Sequence, residues 1–450
     1  MKPLLFILCL LPAVLRAQII TTVAGGGPGG GIDGWGDGLP ASQSTFGNFC
    51  GIAFDHKGNL YIADKDRHVV RKIDVLTDTI AVIAGNGIAG FGGDGGPAIN
   101  AQLHYPGWMA FDSKNNLYIS DRANHRIRKV DSAGTITTYA GIGISGYSGD
   151  GGPADSAAIF APQGICIDAF DNLYICDNSN HRVRKVDSSG IITTIAGVGT
   201  GGFSGDGGLA INAEFSGIYG IRPDNNNNLF IADWNNSRIR RIDYITGIIT
   251  SISGNGDSFY SVDGIQADST GSDPFDVFTD NDGNVFIADF SNNRIRKVDP
   301  SGVIHTVAGT GVGGFSGDGG NADSAKLYRP AGVVMDTCGN LFIADNQNKR
   351  IRKVTYAPDC SSATIITANF VLTNSLTISP NPAQNQITIS GLNNAKTISI
   401  INALGQTLLS QQATAPQNTV DISALKEGIY ILSVKDPATG ATTRQKFVKQ

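Results

Sequence analysis

A six-residue string that closes on an aspartate, Asn59-Leu-Tyr-Ile-Ala-Asp64, returns five more times in this chain of 450 residues. The closing aspartates of the copies are Asp121, Asp177, Asp233, Asp289 and Asp345, the first 57 residues after Asp64 and the others at intervals of 56. A fixed period of this size describes one supersecondary unit stacked on copies of itself, and displaces the three separate domains that about 150 residues per domain would suggest. Each period holds four short apolar runs with turn residues between them; in the second they fall at 108–112, 117–120, 126–131 and 135–140. Four strands per unit around an axis predict an all-β, six-bladed propeller. The sixth unit stops after its third run, and the missing Ile-Thr-Thr-Val-Ala-Gly run stands at 19–25 instead. That segment is expected to be the outer strand of the last blade, closing the ring without an unpaired edge.

Composition agrees. There are 58 glycines, and of 39 acidic residues only Glu214 and Glu427 are glutamate, leaving 37 aspartates. Gly and Asp serve tight turns and disfavour helix, which excludes a helical bundle. A hydrophobic fraction of 41% excludes disorder throughout. The net charge of −5 gives no overall attraction to nucleic acid or to anionic membranes. Residues 1–17 read as a secretory signal, with Lys2, a short apolar core and Leu15-Arg16-Ala17 ahead of Gln18. No later apolar run has the length of a transmembrane helix, so an exported chain with no membrane span is expected.

Within the repeats, the strand Gly51-Ile-Ala-Phe-Asp55, the Asn59 to Asp64 string and the Asn124 to Lys129 run, Asn-His-Arg-Ile-Arg-Lys, together resemble the NHL-repeat family of propellers across about 19–356. That resemblance implies the propeller fold and a platform that binds protein or RNA, or in some members acts as a lyase or lactonase. After Tyr356, residues 357–374 read as a linker. Residues 375–450 carry Ser379-Pro-Asn-Pro382, Ala403-Leu-Gly-Gln406, Leu425-Lys-Glu-Gly-Ile-Tyr430 and Lys446-Phe-Val-Lys449. This tail closely resembles the C-terminal sorting domain of the type IX (Por) secretion system of Bacteroidetes. The resemblance implies a small Ig-like β-sandwich, the secretion machinery as partner, and a destination outside the cell or on the outer-membrane surface. An ordinary terminal sugar- or partner-binding sandwich is the alternative.

Repetition acts as an internal control: a feature present in every unit builds the unit, whereas a feature that differs can serve one ligand. The glycine-rich string around Asp94, repeated at Asp150, Asp206 and Asp318, therefore reads as a structural loop rather than a phosphate or calcium cradle. Asp280-Asn-Asp-Gly-Asn284 resembles the start of a calcium loop, but Ser291 holds the place of its bidentate glutamate, which leaves a hairpin turn. The Arg126, Arg128, Lys129 pattern and its equivalents supply 17 of 34 basic residues. It reads as Arg–Asp pairs joining blades, with an RNA-binding ring as the lesser reading. No histidine pair has metal-ligand spacing, and no metal, cofactor or catalytic set is expected. Cys338, in the first turn of the last unit, and Cys360 are placed to form a disulfide; Cys166 and Cys176 either pair or stay as buried thiols.

Variable positions remain for recognition. After the repeated aspartate stand Lys65, Arg122, Asn178, Trp234, Phe290 and Asn346, and before the inner strands Cys50, Pro106, Gln163, Tyr219, Phe275 and Ala331. Asp276 reads as replacing a glycine present in the other five units. The candidate ligand-binding set is Tyr219, Trp234, Phe275, Asp276, Phe290, Arg122 and Gln163, an aromatic patch on loop tips for protein, peptide or glycan. The expected function is non-catalytic binding, with a channel-centred lyase or lactonase/hydrolase as the alternative.

Overall fold

The computed structural model describes residues 18–31, 34–356, 377–381, 383–390, 396–401, 407–413, 417–435 and 442–449. The chain divides into two compact units, Met1–Pro358 and Asp359–Gln450. Linker residues 357–374, the signal at 1–17 and Cys360 lie outside the described residues.

The described residues of the first unit form six antiparallel sheets. In the second sheet the strands run Pro106–Phe111, Leu117–Asp121, Arg126–Val130 and Ile136–Ala140, each paired with its neighbour in sequence. The innermost strands are Phe49–Phe54, Pro106–Phe111, Ile165–Ile167, Ile218–Pro223, Pro274–Thr279 and Pro330–Met335. Each of these packs on the next, and the sixth packs on the first. The fifth sheet gains a short extra strand, Ile265–Gln266. The last sheet draws its outer strand from the other end of the chain. Ile19–Gly25 runs antiparallel to Arg350–Thr355, from Ile19 opposite Thr355 to Gly25 opposite Arg350.

The core lies between sheets rather than at one centre. Side chains alternate along a strand, so Ile119 and Ile136 of the second sheet meet Ala63 and Ala84 of the first, with Leu103 of the connecting loop between them. The turn Asp280–Asn284 is held by its own aspartate, which accepts hydrogen bonds from the amides of Asp282 and Asn284 and from Asn284 Nδ2. It is a hairpin turn.

Each sheet also buries one arginine completely: Arg71, Arg128, Arg184, Arg240, Arg296 and Arg352. Arg184 pairs with Asp150 of the glycine-rich loop at 2.7 Å and with Asp177 at 3.4 Å, and donates to the Ser148 carbonyl. Burial pushes the Asp177 carboxyl up to about 6, against the pull of Asn180, the Phe160 amide and Arg184. Its twin two residues earlier, Arg182, forms no ion pair among the described residues. It donates to the Asn180 and Val198 carbonyls and lies 3.9 Å from the ring centre of Tyr147. The Arg–Asp pairs thus fix the interblade loop to the blade that follows it, and the exposed aromatics of those loops, Tyr147 among them, are caps over paired arginines. These six buried arginines cannot meet a phosphate backbone; their neighbours Arg182 and Lys185 and the basic equivalents of these are half-buried. Arg184→Met should lower stability by about 3 kcal/mol, because it strands Asp177 in a dry site while Asp150 keeps access to water. Arg182→Ala should cost less than about 1 kcal/mol. Chemical denaturation of the two variants compares them directly.

The cysteines divide cleanly. Cys338 is disulfide-bonded. Cys50, Cys166 and Cys176 are buried free thiols, which corrects the possible Cys166–Cys176 pair: Cys166 stands opposite Tyr174, and Cys176 opposite Val183.

In the second unit, Thr377–Ser379, Gln386–Ser390 and Gln417–Asp421 make one sheet, and Thr407–Ala413, Lys396–Ile401, Gly428–Lys435 and Thr442–Lys449 make another. Ile387, Ile389, Ile398, Ile400, Leu432 and Phe447 fill the space between them.

Candidate functional site

At the level where the innermost strands come closest, the backbone leaves little room for a side chain. A Cβ on Gly164 would lie 1.9 Å from the Tyr219 carbonyl oxygen, and one on Gly332 would lie 2.3 Å from that of Cys50. Strand register aligns Gly51, Gly164, Gly220 and Gly332 with Asp276 and with Trp108, because Met109 opposes Ile119 just as Ile52 opposes Ile62 and Val277 opposes Ile287. This corrects the expectation that Asp276 alone departs from glycine. Gly107 stands one place earlier, in the position assigned above to Pro106.

The two departures meet. Trp108 Nε1 donates to Asp276 Oδ1 at 3.1 Å, joining the second blade to the fifth. Both residues are 1% exposed. Asp276 Oδ2 also accepts from the Val333 amide at 3.1 Å. Burial pushes the Asp276 carboxyl up, while Arg222, the Val333 amide and Trp108 draw it back toward ionisation. A further exception supports the tryptophan: Ser120 replaces the alanine or cysteine of the other repeats, and its hydroxyl receives the Trp108 amide at 2.8 Å and donates to the Trp108 carbonyl. Asp276 was expected on the patch surface; it belongs instead to a buried brace.

Above the brace lies a cavity of about 290 Å³. Arg122, Gln163, Tyr219, Phe275 and Phe290, all expected at the site, border it with Lys65, Tyr105, Cys50 and Trp108. Phe275 stacks on Phe290 at 4.7 Å and lies 4.5 Å from Tyr219 and 5.6 Å from Trp108. These rings are half-buried against one another, not standing free on loop tips. Trp234 joins the cluster edge-on, 4.9 Å from Tyr219. It lines a neighbouring open cleft of about 680 Å³ with Asn255, Asp257 and Asp273. The cleft is the larger hollow, but the cavity holds more of the variable positions and is more enclosed, so the cavity is the candidate site. Burial pushes the Cys50 thiol up to about 11 despite Lys65 and Arg122, so it is not a nucleophile at neutral pH.

Among the described residues no group of three His, Cys, Asp or Glu is placed to hold a metal ion. No helix of the described residues is long and apolar enough to cross a membrane.

Comparison with known proteins bears on the fold and on the C-terminal tail. Residues 377–450 match the Secretion system C-terminal sorting domain, and 143–204 match the Teneurin NHL domain. Protein SUPPRESSOR OF QUENCHING 1, chloroplastic, of Arabidopsis thaliana is 29% identical over 67% of this chain and 30% of its own length. NHL repeat-containing protein 2 of Homo sapiens is 26% identical over 57% of this chain and 40% of its own. The chain thus spans well under half the length of either relative. A crystal structure of an auxiliary nutrient binding protein from Bacteroides thetaiotaomicron superposes with a TM-score of 0.55 at 19% identity, over 75% of this chain and 76% of that one. The sorting domain marks an exported chain. Repeats, sheets and likenesses together make this protein an NHL-type β-propeller that carries a C-terminal secretion-system sorting domain.

Proposed function

We propose that the propeller is six-bladed, that 375–450 folds as an Ig-like sandwich which delivers it through type IX secretion, and that residues 1–17 are its signal peptide. On this reading the exported propeller is a non-catalytic binding module for protein, peptide or glycan, and its ligand enters the cavity above Trp108. One observation carries the reading: Arg122, Gln163, Tyr219, Phe275 and Phe290, which differ among otherwise repeated units, border a single cavity. Rigid scaffolds commonly place recognition where loops converge. The only carboxylate in the brace, that of Asp276, is committed to Trp108 and Val333, which favours binding over channel chemistry. The fixing of Cys338 to Cys360 belongs to the same proposal.

Trp234→Ala combined with Phe290→Ala should weaken capture of a ligand from the native surroundings about 10-fold or more, since interface aromatics commonly carry the largest share of binding energy. Unchanged capture by a folded double variant, measured with the immobilised full chain, would place the site elsewhere.

A further inference from the structure

The cavity has two cations on its border and no carboxylate. The fully buried arginines are paired with aspartates, in a chain of net charge −5. Arg122 and Lys65 border the cavity, and neither forms an ion pair among the described residues; Arg122 Nε is buried with no hydrogen-bond partner. No carboxylate borders the cavity. Two unpaired cations beside a half-enclosed, aromatic-walled hollow form a site for an anion, because the surrounding rings lower the local polarity and strengthen the attraction.

Gln163 narrows the choice. It is 3% exposed and lines the cavity, and no described residue takes a hydrogen bond from its side-chain amide or gives one to it. An amide that opens on the cavity can both give and take a hydrogen bond with what fills it. A simple anion cannot donate to its oxygen, whereas a hydroxyl can do either. Phe275 and Phe290, stacked on one another, wall the cavity with apolar surface that suits the C–H face of a ring, and about 290 Å³ holds one sugar residue rather than a folded partner.

We infer that the cavity binds a carboxylate-bearing sugar, a uronate unit: its carboxylate faces Arg122 and Lys65, its hydroxyls meet Gln163, and its ring lies against the aromatic wall that Phe275 and Phe290 form. This rests on the binding reading above.

The test is titration of the full chain with glucuronate and galacturonate, followed by tryptophan fluorescence and calorimetry, with glucose and benzoate as counterparts. Uronate should bind at least about 10-fold more tightly than glucose, corresponding to one charge-assisted contact, and its affinity should fall with added salt. Arg122→Gln should weaken uronate about 10-fold more than it weakens glucose, and Arg122→Lys should restore part of the difference. Gln163→Leu should weaken both sugars more than benzoate. Glucose binding as tightly as uronate, or an Arg122→Gln variant that is folded and unchanged, would overturn the anion. Benzoate binding as tightly as uronate would overturn the sugar. If none of these probes binds but capture of a native ligand still depends on Trp234 and Phe290, the uronate inference fails and the binding site stands. If capture is also insensitive, both fail.

Discussion

A chain lacking residues 18–25 should not yield a folded propeller. Among the described residues, Ile19–Gly25 alone pairs to the outer side of Arg350–Thr355, and Ile20 and Ala24 are completely buried. Its backbone also anchors the preceding loop: the Ile20 amide donates to the Gly320 carbonyl, and the Gly319 amide donates to the Ile20 carbonyl. Thr22 Oγ1 donates to Asp318, the partner of buried Arg352. Deletion removes about 2 to 4 kcal/mol of packing from Ile20 alone, a row of ladder hydrogen bonds, and the ordering of Asp318. It also leaves a long unpaired edge, which templates aggregation. The total, at least about 5 kcal/mol, approaches the whole stability of an ordinary domain. The expected result is aggregated protein, with soluble monomer recovered when the same segment is attached after residue 356 by a short flexible linker. Soluble, cooperatively melting protein from the simple deletion would show that the ring closes by other means. Size-exclusion chromatography with thermal melts separates the outcomes.

The closure strand was legible because repetition exposes an omission: five units contain the outer run, the sixth lacks it, and the start of the chain supplies it. The same logic identified the hairpin turns and the structural arginines. It did not separate Arg182 from Arg184. Alternation places both on one face, but only Arg184 reaches the loop aspartate, and its depth depends on a neighbouring blade. The candidate site was legible as a set of positions, not as an environment. Tyr219, Phe275 and Phe290 were found, yet their mutual packing comes from strands 56 residues apart converging at the axis. Trp108 was missed through a one-residue error in alignment. The 57-residue spacing from Asp64 to Asp121, carried back to Gly51, lands on Trp108, so the signal was present in the first interval.

That tryptophan supports the second large prediction, because a position built for glycine tolerates a large side chain only when something across the ring receives it. Trp108→Ala should cost about 5 kcal/mol: about 3 to 5 for the cavity left by a fully buried indole, and more because buried Asp276 loses a donor. Asp276→Gly should cost less, about 1 to 3 kcal/mol, since it strands the indole N–H and the Val333 amide while removing a buried carboxyl. Adding Asp276→Gly to Trp108→Ala should then cost less than it does alone, as the carboxyl that had lost its donor goes and only the Val333 amide is newly stranded. The coupling in this double-mutant cycle should fall at about 1 to 3 kcal/mol, the range for residues that share a buried hydrogen bond. Denaturant unfolding of the four proteins measures it. Additive costs would mean that Trp108 and Asp276 fill space independently; a large coupling would show that the second and fifth blades are braced through one hydrogen bond, with the floor of the binding cavity resting on it.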